Sequence, residues 1–107
     1  MRLNSQTLQA IQQAASEFLA PGSSVRLFGS RLDDGRRGGD IDLLIEPPIQ
    51  LSPDDMVATR NAFLARLYRL LGEQKIDVLI ATASDSDNRS VVGTARRDGR
   101  VIAKVPQ

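Results

Sequence analysis

The stretch "VRLFGSRLDDGRRGGDIDLLIE", residues 25–46, decides how this chain folds. Val25, Leu27 and Phe28 give a short apolar strand that stops at a Gly29-Ser30 corner. The loop that follows, residues 30–39, holds three glycines and three arginines and is too polar for a core. "DIDLLIE" then begins a second strand, which Pro47-Pro48 ends because proline cannot continue a central ladder. Successive strand residues face opposite sides. Ile41 and Leu43 therefore point to the core, while Asp40 and Asp42 share the other face. Two partly desolvated carboxylates held side by side repel, and one pKa is driven up. A hard dication between them reverses that cost, since magnesium prefers oxygen ligands.

Outward from this pair, "KIDVLIA" at residues 75–81 reads as a third strand. If Ile76, Val78 and Ile80 are buried, Asp77 turns to the opposite face. Should that strand lie beside the second, Asp77 joins Asp40 and Asp42, and three carboxylates suffice for two metal ions ~3.5–4 Å apart. The Gly29-Ser30 corner supplies the complement. Glycine permits a tight turn and close backbone approach, and Ser30 would open a turn whose N–H groups and hydroxyl can hold phosphate oxygens.

The remaining elements frame these three strands. Asn4 or Ser5 caps a helix with Leu8, Ile11, Ala15, Phe18 and Leu19 at helical spacing, ended by Pro21-Gly22. Ser52-Pro53-Asp54-Asp55 opens a second helix, which carries Met56, Val57, Phe63, Leu64, Leu67, Leu70 and Leu71 and closes at Gly72. Tyr68 falls among leucines and is expected on the packed side of that helix. "RSVVGTARRDG" suggests a last short helix before "RVIAKV", an edge strand or tail. Arg96, Arg97 and Arg100 read as a solvated basic tail. The order implies an α+β fold in a single domain over residues 1–107, a small mixed sheet with helices packed mainly on one face.

Composition removes whole classes of chemistry. With 107 residues there is room for one modest core, burying roughly 60–70% of the unfolded surface. There is no cysteine and no histidine, so disulfides, zinc–thiolate sites, His-ligated metals and Ser-His-Asp triads are excluded. Net charge is +1, which gives no overall attraction to nucleic acid or membrane. No apolar run approaches the ~18 residues of a membrane span, and a cytoplasmic protein is expected. Haloacid-dehalogenase phosphatases place Asp-x-Asp after an apolar strand and follow it with threonine; here the strand follows the pair, and Leu43-Leu44 takes that place. Glycosyltransferases with the motif are far longer chains.

The combination of Gly29-Ser30 after a strand, "DIDLLI" and the later "IDVLI" resembles the minimal nucleotidyltransferases of the DNA polymerase beta-like superfamily. The resemblance runs from Val25 to about Ile80 and takes in the N-terminal helix. It implies the polymerase beta-like nucleotidyltransferase fold and transfer of a nucleoside monophosphate from a triphosphate such as ATP. It further implies Asp40, Asp42 and Asp77 as the metal-binding and catalytic carboxylates, with two Mg2+ ions for which Mn2+ can substitute. Gly29, Ser30 and Arg31 match the phosphate corner. Many members carry serine before the aspartate pair and Ala-Arg-Gly in the loop, where this chain has Gly39 and "LDDGRRGG". Stand-alone members of this kind often act as antitoxins of HEPN-domain toxins, some by adenylylating them. That partner is the one the resemblance implies, with a nucleic-acid acceptor as a weaker option. The alternative of another class is a non-catalytic antitoxin that neutralises its partner by binding alone.

Overall fold

The computed structural model describes residues 3–29, 41–72, 74–82 and 90–107. Along the chain run α1 (Ser5–Phe18), β1 (Ser24–Phe28), β2 (Ile41–Glu46), α2 (Pro53–Leu71), β3 (Ile76–Ile80), α3 (Ser90–Asp98) and β4 (Arg100–Lys104). The four strands form one mixed sheet in the order β3-β2-β1-β4. β1 is antiparallel to both β2 and β4, while β2 and β3 are parallel, joined through α2. The result is a small α+β domain, whose Cα radius of gyration of 13.0 Å equals the roughly 13 Å expected for a compact chain of about 100 residues.

Local chemistry sets each boundary. Asn4 Oδ1 accepts from the Thr7 N–H at 2.7 Å and starts α1. Ser52 Oγ accepts from the Asp55 N–H at 3.1 Å and starts α2, with Pro53 at its first turn. Gly72 ends α2 with φ +77°, a backbone that residues with a Cβ rarely adopt. The buried stripe of α1 is Thr7, Ala10, Ile11, Ala14 and Ala15. Its alanines let the helix lie close to the sheet, whereas Phe18 is exposed. Tyr68 is also exposed, contrary to the sequence expectation, because the sheet-facing stripe of α2 runs through Phe63 and Leu67.

The main core lies between α1, α2 and one sheet face. Val25, Leu27, Ile41, Leu43, Ile45, Ile76, Val78 and Ile80 meet Ile11, Phe63 and Leu67 there. α3 lies on the other face, where Val92 and Ala95 cover Phe28, Leu44 and Ala81. The expected placement of helices on one face thus holds for α1 and α2, and α3 departs from it. β4 is the edge strand that the C-terminal apolar run suggested, with a register shift opposite Val25 and Arg26. Among the described residues no helix is long and apolar enough to cross a membrane.

Candidate active site

β2 alternates strictly. Ile41, Leu43 and Ile45 are buried in the main core, so Asp42, Leu44 and Glu46 take the α3 face. In β3, Ile76 and Val78 are buried in the same core, and Asp77 and Leu79 take that same second face. The parallel register makes Asp42 and Asp77 direct partners, on strands about 4.8 Å apart. Phe28 is the partner of Asp42 on the other side.

Such a pair is repulsive. Carboxylates about 5 Å apart repel by about 1 kcal/mol in water and about 3 kcal/mol at an effective dielectric near 20. Asp77 is exposed and Asp42 half-buried, so solvent screens the repulsion that their separation leaves. Cross-strand partners normally avoid like charge. Sheet stability alone gives no reason to place two acids here.

Gly29 fixes where the Asp42 carboxylate goes. Its φ is +80°, and a Cβ built there would collide with Asp42 Oδ2 and lie 3.1 Å from Asp42 Cγ. The side chain of Asp42 is therefore folded over the backbone at the end of β1, a place only glycine leaves open. The corner and the carboxylate read separately from the sequence are one contact in three dimensions.

Both acids open into a cleft of about 290 Å³, walled by Phe28, Leu79 and Val91 and bounded by Arg60 of α2. Larger depressions, about 590 and 430 Å³, lie along β4. Among the described residues the larger has no acid in its lining, and in the other Glu46 is already engaged by Arg26 at 2.6 Å and Arg96 at 3.1 Å. The smaller cleft is lined by both Asp42 and Asp77.

Of the residues picked from the sequence, Gly29, Asp42 and Asp77 come together, while Ser30, Arg31 and Asp40 lie outside the described residues. So do Asp33, Asp34, Arg36 and Arg37 of the loop. Among the described residues no group of three or more Asp, Glu, His or Cys is poised on a metal. Asp42 and Asp77 nonetheless offer the hard oxygen donors that suit magnesium, an ion that fills the rest of its shell with water and substrate phosphates.

Two features escaped the sequence reading. Arg96 is no solvated tail residue: it bonds Glu46 and donates through Nη2 to the Thr82 carbonyl. Glu46, with its side chain 4% exposed, is thereby clamped between two guanidiniums, tying α3 to β2. The other is Arg60, whose Nε donates to the Val78 carbonyl at 2.8 Å. Its signal was a charge within the sheet-facing spacing Met56-Arg60-Phe63-Leu67 of α2. No protein-family model matches this chain, and no curated protein sequence matches it closely enough to count.

Proposed function

We propose that this chain is a magnesium-dependent nucleotidyltransferase that moves a nucleoside monophosphate, AMP from ATP in the simplest case, to a hydroxyl of a macromolecule. The observation that carries this reading is the pairing of Asp42 with Asp77 across β2 and β3, with the Asp42 carboxylate laid over Gly29. Two like charges in register on an open face are worth keeping if a dication is their partner.

Asp42 and Asp77 would hold the ion, with Asp40 as a third carboxylate. When bound, it would supply charge neutralisation for the triphosphate. Gly29 leaves room for the Asp42 carboxylate that would hold the ion, and Ser30 and Arg31, next in the chain, would meet the phosphates. Asp77, on the exposed side, would accept the proton of the attacking hydroxyl on its carboxylate. The new bond joins the acceptor oxygen to the α-phosphorus, the α–β phosphoanhydride breaks, and pyrophosphate leaves. Positioning and charge stabilisation are the main contributions. The cleft is small and open, so the hydroxyl is best presented by a separate macromolecule. A HEPN-domain toxin paired with this chain as antitoxin is the partner that the sequence resemblance suggests.

The test is transfer of label from α-labelled ATP with Mg2+ into the macromolecular fraction of a cell extract. Label should transfer from the α but not the γ position, and Asp42→Asn and Asp77→Asn should each abolish it. Transfer that persists in both variants would refute the reading. Binding of a partner protein without any transfer by the unaltered chain would favour a non-catalytic antitoxin instead.

A further inference from the structure

Arg60 stands on the β3 side of the carboxylate pair, away from Gly29. Its place follows from the strand pattern. The Ile41 N–H donates to the Lys75 carbonyl at 3.0 Å, and the Ala81 N–H donates to the Ile45 carbonyl at 3.0 Å. The odd-numbered residues of β3 therefore bond to β2, and Ile76, Val78 and Ile80 turn their backbone groups to the outer edge. Arg60 reaches across from α2 and takes one of these, the Val78 carbonyl, through Nε. Nη1 donates to Asn61 Oδ1 at 3.2 Å. Among the described residues these are the hydrogen bonds of Arg60, and Nη2 makes none.

A guanidinium in a cleft with two acids would ordinarily be drawn into an ion pair. Here Nε and Nη1 are tethered to a backbone carbonyl and an amide, and no ion pair joins Arg60 to Asp77. The side chain is half-buried and held in orientation, so little rotamer freedom remains to be lost when a ligand binds. A planar fork with a fixed base and an open outer edge suits a phosphate oxygen. Capping the edge of β3 needs only a neutral donor, and among the described residues no carboxylate pairs with the Arg60 charge.

We propose that Arg60 is a substrate-binding residue of this cleft and that it holds a phosphate oxyanion at the β3 edge. This deepens the nucleotidyltransferase reading and rests on it. The phosphate has two sources, the nucleoside triphosphate or the phosphodiester of a polynucleotide acceptor. Arg60 lies beyond Asp77, on the side away from Gly29, and one probe for each source tells them apart.

The experiment measures binding of two probes without turnover, in the presence of Mg2+: α,β-methylene-ATP and a short single-stranded RNA. Arg60→Gln keeps a donor for Val78 and removes the charge; Arg60→Lys keeps the charge and removes the fork. Loss of one charge-assisted contact should weaken one probe by about 10- to 100-fold in Arg60→Gln, and less in Arg60→Lys. The probe that weakens identifies the source. Urea unfolding midpoints close to wild type would separate this from loss of the β3 edge cap. If wild type binds a probe and Arg60→Gln binds both as wild type does, the assignment of Arg60 is overturned while the transferase reading stands. If wild type binds neither probe, both fall together.

Discussion

At the scale of single residues, a left-handed backbone and an acidic side chain meet where β1 ends beside Asp42. Gly29 has a left-handed backbone and the Asp42 carboxylate lies directly over it. Gly29→Ala adds a methyl group to a disfavoured φ and drives it into that carboxylate. We expect a loss of about 1–3 kcal/mol in urea unfolding. The carboxylate must also move, so Asp42-dependent metal binding should weaken well beyond what the stability change accounts for. A variant as stable as wild type that binds metal normally would show that the close approach is incidental. Gly29, Asp42 and Asp77 were legible because strand alternation and a glycine corner are local signals. Arg60 was not, since its partner Val78 is 18 residues away and only the folded chain brings them together.

At the scale of elements, α3 depends on one buried acid. Its nine residues bury little beyond Val92 and Ala95, too short a helix to stand alone. Arg96 fastens it to Glu46 and to the Thr82 carbonyl. Glu46→Ala leaves the guanidiniums of Arg26 and Arg96, 27% and 24% exposed, without their shared carboxylate. Breaking a fully buried pair costs about 3–5 kcal/mol; these arginines reach water, so about 2–3 kcal/mol is expected. Hydrogen exchange should show α3 opening before the strands do, and uniform protection would contradict this. The sequence marked α3 as a helix but not its side of the sheet. By sequence Val92 and Ala95 fit either face. Their partners Phe28, Leu44 and Ala81, like the Glu46 that Arg96 meets 50 residues away, come together only in the folded chain. The strands were easier, because proline, glycine and period-two patterning bound each of them.

Across the whole molecule, two helices and a sheet share one core, and a polar strap joins the helices at their surface. Arg66 donates to both carboxylate oxygens of Glu17, at 2.7 and 3.3 Å. That hydrogen bond, with a smaller one from Gln13, holds the Glu17 carboxyl below its ordinary value of 4.5. A lowered folded-state pKa contributes stability in full above the ordinary value, and the contribution is lost as pH falls through the folded one. Wild type should therefore exceed Arg66→Ala in urea midpoint at pH 7, with the gap closing below about pH 4 and in high salt. A gap independent of pH and salt would assign the effect to packing of the Arg66 stem. Mixed strand order was less legible than the elements themselves, since pairing β2 with β3 requires α2 to cross over the sheet. That crossover is what puts Asp77 beside Asp42, and the central claim is that the pair exists to hold a dication. Electron paramagnetic resonance of Mn2+ titrated into the protein with α,β-methylene-ATP tests it most directly. The account predicts a bound-ion spectrum in wild type that is lost in Asp42→Asn and weakened at least tenfold in Asp77→Asn. Equal Mn2+ binding in all three proteins, or none in wild type, would contradict it.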